Sequence, residues 1–424
     1  MNISEIELQM KELWKNVFHD SKEYIDLIFK NYFTPEYIGY KEENGSIISS
    51  YIAVPYIFTN GTDSLKALYL CGLATDKNHR GQGIMGGLLK EAEEKYKNTH
   101  DFLFLIPAQQ DLIPYYDSHN FYKGIYRNED RYTPAHNFVN DFELTLIKTD
   151  DRIKELKLDL FRSLRINKYS GDEVEFMELV EYITEKENSK KNYAVLSHSE
   201  KDLSAVVEEN HISGGDIFIS KDSKGKINGI AFCMPEDIKL TKVSQIYSDN
   251  PASYYKLLDH IKSYYEDNSL RVIRYPSEEH TSRLWEEVYI SSNPDSNDLD
   301  QLFGVALRIA NSWERATVYG LVNILNFSSV LSYMLKNNQR HECSVFIKND
   351  NKANDGVAII SNGEKAEILE SEDYHKLQRK YPNLTILTKK EVSGLLFNKK
   401  EKNSLLTDIF GISPLRLNMS LLLD

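Results

Sequence analysis

Several absences restrict what this 424-residue chain can be. It has three cysteines, Cys71, Cys233 and Cys343, and no CxxC pair, which argues against a disulfide framework and a cysteine-based zinc site. Its apolar runs, such as residues 68–74, are far shorter than the roughly 20 residues of a membrane-spanning helix. The N-terminus carries acidic residues early and has no apolar signal core. We therefore expect a soluble, cytoplasmic protein.

Positive charge is also scarce. Lysine and arginine total 51 against 64 aspartate and glutamate residues, which gives a formal net charge of −13. Because an acidic chain binds nucleic acid and anionic lipid poorly, we expect neither nucleic acid nor a membrane as partner. The same balance favours a cationic small molecule or peptide. The eleven histidines form no HExxH motif and no paired ligand spacing, so we expect no metal.

What is present is a globular composition, with 41% hydrophobic and 27% charged residues. At about 100–200 residues per domain, the length predicts two to four domains. The first part of the chain shows helical spacing over residues 5–33 and a hairpin pattern around Asn44-Gly45. A buried strand at 68–75, a loop, a helix from Ile84 and a second buried strand at 102–106 follow.

The middle of the chain repeats this order more weakly. Strand patterns at 217–220 and 227–234 are followed by a strand at 243–247 and a helical pattern at 254–265. A further strand pattern follows at 270–273. The loop between the third strand and the helix, SDNPAS, contains neither glycine nor arginine. We interpret this region as a second copy of the first that has lost a ligand loop.

The character of the sequence changes again from about residue 298. Residues 318–335 form an apolar stretch that we predict to be a long helix. Short strand patterns follow at 344–348 and 357–361, separated by a polar turn. These features predict a third, smaller α+β domain.

The segment most informative about chemistry is LYLCGLATDKNHRGQGIMGGLL, residues 68–89. It is a buried strand, a glycine-containing loop and an amphipathic helix. Gly81 and Gly83 allow backbone amides to approach a ligand without an intervening Cβ atom. The free N–H groups and the dipole at the start of the helix suit a pyrophosphate, and Arg80 adds positive charge. The pattern therefore predicts a phosphate-binding loop.

Other phosphate-binding patterns fit less well. The spacing Gly81-x-Gly83-x-x-Gly86 matches the dinucleotide fingerprint, but five polar residues separate it from the end of the strand at Thr75. The acid about 20 residues later, Asp101, precedes the next strand instead of following it. GxxxxGK[ST] is absent, so this is no P-loop. An ordinary surface loop with an arginine remains an alternative.

The run Arg80-Gly81-Gln82-Gly83-Ile84-Met85 resembles the R/Q-x-x-G-x-G/A acetyl-CoA loop of the GNAT N-acetyltransferases, except that Met85 replaces the final small residue. The segment from Tyr116 to Phe121 resembles their YxxxxF element. The three-part layout is similar to that of Eis-like acetyltransferases over nearly the whole chain. The resemblance implies an α/β fold with mixed sheets in three parts: a catalytic GNAT domain (1–140), a degenerate second GNAT-like domain (141–297) and a domain resembling sterol carrier protein 2 (298–424).

The resemblance also implies how acetyl-CoA would bind as co-substrate. Backbone groups of Leu73, Ala74 and Thr75 would pair with the pantetheine arm, although these residues could equally be plain core strand. The pyrophosphate would lie beside Arg80. It would bind the loop and helix amides of Gly81, Gln82, Gly83, Ile84, Met85 and Gly86.

Catalytic roles follow from the same resemblance. Tyr116 would be the general acid that protonates the leaving thiolate, although Tyr115 and Tyr122 lie close in sequence and a packing role is the alternative. The C-terminal α-carboxylate of Asp424 would accept a proton from the attacking amine. Asp20 is a candidate to bind a cationic substrate, and a helix-capping or solvent-facing acid is the alternative.

The implied function is N-acetylation of a cationic small molecule, such as an aminoglycoside or polyamine, by direct attack of the amine on the thioester. One alternative is acetylation of lysine side chains or N-termini of proteins and peptides. Another is a non-catalytic protein that binds lipid or another apolar ligand through its C-terminal domain. The resemblance further implies a homo-oligomer, since hexamers occur among Eis-like enzymes.

Overall fold

The computed structural model describes residues 1–146, 149–190, 193–266, 268–274, 312–336, 342–349, 352–362, 365–371, 374–397 and 415–419. The first third of the chain forms a sheet with helices on both faces. The helices are α1 (Ile3–Phe18), α2 (Lys22–Tyr32), α3 (Ile84–Tyr96) and α4 (Ile113–Asp117). The strands are β1 (Ile38–Glu43), β2 (Ser46–Thr59), β3 (Ser64–Thr75), β4 (Phe102–Leu105) and β5 (Tyr122–Tyr132).

Strand β3 is apolar throughout its middle because both of its faces are covered. Successive side chains of a strand point to opposite faces. Tyr69 and Cys71 pack in the cluster that contains the α1 and α2 side chains. Leu68 and Leu70 pack in the cluster that contains the α3 side chains. This two-sided burial explains the continuous apolar run that predicted a central strand.

The pairing of β3 is complete on one side and short on the other. Strands β1, β2 and β3 are antiparallel neighbours, and β2 accompanies β3 as far as Thr75. Strand β4 is parallel to β3 and pairs with it only over Ala67 to Tyr69. The part of β3 beyond Tyr69 therefore has an edge that β4 does not cover.

The middle of the chain continues the sheet. Its helices are α5 (Phe138–Leu144), α6 (Asp151–Ser163), α7 (Glu173–Asn188), α8 (Glu200–Ile212) and α9 (Pro251–Tyr264). Its strands are β6 (Arg165–Lys168), β7 (Ala194–Ser197), β8 (Asp216–Lys221), β9 (Ile227–Asp237), β10 (Leu240–Ser248) and β11 (Ser269–Arg274).

The strands predicted in this region are confirmed as β8 to β11. Strands β8, β9 and β10 are antiparallel neighbours, and β11 is parallel to β10 after the crossover helix α9. Strands β1 to β4 and helix α3 follow the same order of pairings. Strand β11 also pairs antiparallel with β5, so the two sheets are continuous.

The remaining described elements begin with a strand that returns to the first sheet. They are β12 (Ser312–Ile324), α10 (Phe327–Lys336), β13 (Glu342–Asn349), β14 (Lys352–Asn362), β15 (Ala366–Ser371), α11 (Tyr374–Lys380), β16 (Thr385–Thr388), α12 (Lys389–Leu396) and β17 (Leu417–Asn418). Strands β13 to β16 form a separate four-stranded sheet. It contains the strands predicted at 344–348 and 357–361.

The prediction of one helix over residues 318–335 is wrong for its first half. Strand β12 extends to Ile324 and pairs antiparallel with both β4 and β5. Its side chains at Leu321 and Val322 are fully buried in two different clusters. A strand buried on both faces shows the same unbroken apolar run as a buried helix, so hydrophobic periodicity could not separate the two.

Residues 312–324 thus lie within the N-terminal sheet, far along the chain from the other strands of that sheet. The boundaries at residues 140 and 297 stay a prediction. None of the described helices is both long and apolar enough to span a bilayer.

A bulge in β3 depends on one glycine. Gly72 has a φ of +58°, and the register between β2 and β3 shifts between Ser50 and Ile52. A Cβ atom at Gly72 would lie 2.2 Å from the Trp14 ring. The position therefore requires glycine both for its left-handed conformation and for the close approach of α1.

We expect Gly72→Ala to lower the free energy of unfolding by about 2–4 kcal/mol, because a left-handed backbone cost of about 1 kcal/mol adds to overpacking of about 1–3 kcal/mol. Gly45→Ala is the matched control, since Gly45 has a φ of +80° with open space around it. Urea unfolding measures both variants. Equal losses would show that the contact with Trp14 adds no cost.

Candidate active site

The loop between β3 and α3 is fixed by short-range hydrogen bonds. Asp76 accepts a hydrogen bond from the Asn78 amide at 2.9 Å and caps a single turn of 3₁₀ helix over Lys77–His79. The Nε atom of Arg80 donates to the Thr75 carbonyl at 3.1 Å. The arginine predicted to bind phosphate is therefore exposed and tied to the end of β3.

The glycines leave the start of α3 open. Gly81 and Gly83 have φ values of +76° and +75°, and a Cβ atom at either would meet no atom within 4 Å. Gly83 is the N-cap of α3 and has no side chain to accept from the first-turn amides. The amides of Ile84, Met85 and Gly86 thus lack intrahelical partners. These amides form the cradle at which the sequence predicts pyrophosphate binding, with Gln82 exposed between the glycines. The binding itself stays a prediction.

Met85, which stands where the family motif has a small residue, does not obstruct these amides. Its side chain is half-buried and packs against the apolar cluster between α3 and the sheet. Gly86 lies close to the segment after α4, because a Cβ there would lie 2.4 Å from the Nε2 atom of His119. The bulky Met85 thus packs beside the apolar cluster, and the close approach occurs at the next residue.

His79 connects the loop to the β1 strand. Its two ring nitrogens lie 3.1 Å from Asp76 and 3.0 Å from Glu43. The hydrogen bond to Asp76, supported by Glu43, raises the pKa of His79 above its ordinary value. His79 is therefore an ion-paired residue of the loop and not a freely solvated one.

The three strand residues predicted to bind the pantetheine arm lie on the uncovered part of β3. Thr75 and Ala74 pair with Ser49 and Ser50 of β2. With Leu73, they lie beyond Tyr69, the last β3 residue that pairs with β4. This geometry leaves a strand edge that leads directly into the glycine loop.

Tyr116, like Tyr122, is a buried member of the predicted tyrosine set. It lies in α4, is 7% exposed, and packs edge-on against Phe121 with ring centroids 6.2 Å apart. Burial raises its pKa to about 12. Tyr115 is exposed, and Tyr122 is the first residue of β5. Tyr116 belongs to the apolar cluster on the α3 face of the sheet.

A cavity of about 750 Å³ opens on the opposite face, beside the uncovered part of β3. Its walls come from the α1–α2 segment, from β3, from the segment after β4, and from β5 and β12. The lining residues are Trp14, Phe18, Asp20, Tyr24, Tyr69, Cys71, Gly72, Ile106, Pro107, Ala108, Gln109, Gln110, Arg127, Glu129, Thr317, Val318 and Tyr319. Its size is in the range of small-molecule sites.

Asp20 lines this cavity. Its Oδ2 atom accepts a hydrogen bond from the Trp14 indole at 2.7 Å. Trp14 is itself buried against Gly72. Asp20 is not the cap of α2, because Ser21 is the N-cap. The helix-capping alternative is therefore wrong, and the carboxylate is held beside the cavity.

Sequence reasoning missed the charged pair of β5. Arg127 and Glu129 are two residues apart on one strand face and both line the cavity. Glu129 accepts hydrogen bonds from Arg127 at 3.3 Å and from Arg271 of β11 at 3.0 Å. Arg271 also binds Glu236 through two nitrogens. Charge alternation along a strand was the available signal, but the partner lies 142 residues away.

The corresponding loop of the middle unit is built differently. Between β10 and α9, the N-cap Asn250 accepts from the Ser253 amide, and Pro251 contributes no N–H. Asp249 pairs with Lys186 and accepts from the Tyr182 hydroxyl. The carboxylate of Asp249 at the N-terminus of α9 would repel an anionic ligand. This agrees with the predicted loss of a ligand loop.

Asp424, the predicted proton acceptor, lies outside the described residues. Its role stays a prediction.

Comparison with known proteins gives a family for the N-terminal part. Residues 2–123 match the family model described as an acetyltransferase (GNAT) domain. A search of curated proteins by sequence gives no match.

Solved structures resemble the chain over nearly its whole length. A conserved protein of unknown function from Enterococcus faecalis, a probable N-acyltransferase, is 12% identical with a TM-score of 0.63, over 96% of this chain and 90% of that one. A GCN5-related N-acetyltransferase from Anabaena variabilis is 11% identical with a TM-score of 0.62, over 95% and 90%. An Eis protein from Mycobacterium abscessus is 7% identical with a TM-score of 0.60, over 96% and 90%.

At these identities the structural likeness shows the fold alone. It confirms the mixed α/β fold class. The family match confirms a GNAT acetyltransferase domain. The tandem arrangement and the sterol-carrier-like C-terminal domain stay predictions.

We expect the pKa of His79 to lie above the ordinary histidine value of about 6.5. Because the folded pKa is raised, the stability that protonation contributes is present at low pH and is lost as pH rises through the folded value. Glu43→Gln should lower this pKa in an NMR titration, whereas Glu42→Gln on the same strand should not. Equal shifts in both variants would contradict the pairing.

Proposed function

Because residues 2–123 are an acetyltransferase (GNAT) domain and the chain is therefore an acetyltransferase, we propose that it transfers the acetyl group of acetyl-CoA to the amine of a small molecule bound in the cavity. One observation carries the proposal: the uncovered edge of β3 runs from the cavity to the glycine loop. Cys71 and Gly72 line the cavity, and residues 73–75 continue to the loop. A ligand along this edge would have its pyrophosphate at one end and its thioester at the other.

In this proposal the loop binds the co-substrate. The amides of residues 81–86 receive the pyrophosphate at the N-terminus of α3, where the helix dipole favours an anion. Arg80 adds a charge-assisted contact. The backbone of Leu73, Ala74 and Thr75 pairs with the pantetheine arm as an added strand would.

The acceptor binds as an ammonium ion beside Asp20 and must lose a proton before it attacks. The nitrogen then forms a bond to the acetyl carbon while the carbon–sulfur bond breaks, with no covalent enzyme intermediate. A thioester in the gap between β3 and β4 has the cavity on one face of the sheet and Tyr116 on the other. The amine and the proton donor therefore approach from opposite sides.

Tyr116 suits the role of proton donor because its raised pKa keeps the phenol protonated across the working pH range. Its proton goes to the departing thiolate of CoA. Asp20 and the α-carboxylate of Asp424 are the groups we propose for the proton that the ammonium ion loses before it attacks. The second proton leaves the nitrogen as the amide forms and restores the phenol of Tyr116 by way of solvent.

The acceptor class rests on the carboxylate of Asp20, which lines the cavity, and on the resemblance to Eis-like enzymes. A cationic small molecule of aminoglycoside or polyamine type is the first proposal. A lysine side chain or peptide N-terminus is the alternative, since the cavity is open to solvent. A lipid-binding role for the C-terminal region, a homo-oligomer such as a hexamer, and cytoplasmic location stay proposals from the resemblance and composition.

We expect Arg80→Ala to weaken acetyl-CoA binding about tenfold or more, since a charge-assisted hydrogen bond contributes about 1.5–3 kcal/mol. Lys77→Ala, which removes another exposed cation of the same loop, is the control and should have a much smaller effect. Calorimetric titration measures both. Equal weakening would indicate general electrostatic attraction and not a contact by Arg80.

We expect Tyr116→Phe to lower kcat about 10²-fold or more and to leave acetyl-CoA affinity nearly unchanged, because only proton transfer is removed. Tyr115→Phe, the exposed neighbour, should retain activity. Steady-state kinetics up to pH 10 should show no decline due to Tyr116 ionisation, because its pKa is about 12. Full activity of Tyr116→Phe would show that another group protonates the leaving thiolate.

A further inference from the structure

Arg127 gives the cavity a feature that a polycationic acceptor does not explain. It is a fixed cation on the wall of the same cavity that Asp20 lines. A second ammonium group of an acceptor would be repelled from this part of the wall. The part of the cavity around Arg127 complements a negative group instead.

The guanidinium is held in place while most of its donors stay unused. It lies over the Tyr319 ring, with the central carbon 4.1 Å from the ring centroid. Among the described residues, its side chain donates one hydrogen bond, from Nη2 to Glu129 at 3.3 Å. Its Nε is buried without a partner there. An arginine has five N–H donors, so the terminal nitrogens Nη1 and Nη2 keep donors that a carboxylate could accept from.

Glu129 is shared between Arg127 and a second arginine. Arg271 donates to the same carboxylate oxygen at the shorter distance of 3.0 Å. Glu129 and Arg271 are 8% and 9% exposed, so their pairing is shielded from solvent. Arg271 also binds Glu236, so the two arginines and two glutamates balance in charge. What Arg127 offers a ligand is therefore its unused terminal N–H donors, since it holds Glu129 only through the longer bond.

From these contacts we propose that the acceptor cavity contains a carboxylate subsite at Arg127, so that the acceptor is an amine that also carries a carboxylate. Asp20 binds its ammonium group and Arg127 its carboxylate. The rings of Trp14, Phe18 and Tyr24 also line the cavity and favour an acceptor with an aromatic or apolar body. This inference rests on the proposed acetyl transfer and departs from its first acceptor class, because it favours amino-acid-like molecules over aminoglycosides and polyamines.

Matched pairs of acceptors test the carboxylate directly. Phenylalanine and phenethylamine differ only in that group, as do tryptophan and tryptamine, and lysine and cadaverine. We expect the full-length protein to acetylate the carboxylate-bearing member of at least the aromatic pairs with a kcat/KM about ten- to a hundredfold higher. Calorimetric binding of each molecule to the protein saturated with CoA provides a readout independent of turnover.

Arg127→Met should reduce the preference for phenylalanine over phenethylamine to within about threefold of unity. Arg127→Lys should restore part of it, since the charge returns without the planar fork. Lys123→Met is the control, because it removes an exposed cation of the same strand outside the cavity. It should leave the preference unchanged.

The outcomes separate this inference from the proposed function. Turnover of amines with no carboxylate preference, or an equal loss for both members of a pair in Arg127→Met, overturns the subsite and leaves the acetyltransferase intact. A lack of carboxylate preference in both binding and turnover also overturns it. Failure to bind acetyl-CoA at all would instead count against the proposed ligand loop.

Discussion

The candidate site depends on incomplete pairing between two parallel strands. Strands β3 and β4 share only three paired residues before they separate. Backbone N–H and C=O groups need partners, and a strand edge without a neighbouring strand offers them to a ligand. The bulge at Gly72 lies in this uncovered part, where Trp14 packs against the glycine and holds Asp20 beside the cavity. The edge of β3 that β4 does not cover thus connects the glycine loop with the cavity.

The cavity is assembled from distant parts of the chain. Its walls include the α1–α2 segment, β5 and the late strand β12. On β11, the neighbour of β5 in the sheet, Arg271 holds Glu129 through a nearly buried ion pair. Removing one member of such a pair leaves an uncompensated charge, which is strongly destabilising. The middle unit therefore takes part in the electrostatics of the cavity even though its own loop lacks the amide cradle.

The sequence and the structure agree best where the signal is local. The strand, glycine loop and helix of residues 68–89 and the strands β8 to β11 were predictable because each has strong periodicity and clear breaks. The long helix expected at 318–335 was wrong because β12 is buried on both faces and shows no alternation. Arg127 and Glu129 were missed because the role of a charged residue on a strand depends on its neighbours across the sheet, which the sequence does not show.

The sequence by itself determined the glycine-containing loop with Arg80 and the acidic balance, since both depend on residue type and near spacing. The α/β fold class followed from the family resemblance that this loop carries. Only the tertiary structure decided that Asp20 faces the cavity instead of capping a helix. It also decided that β12 lies between β4 and β5, and that Arg271 engages Glu129. These are contacts between residues far apart along the chain, and their energies depend on packing and burial that no local pattern encodes.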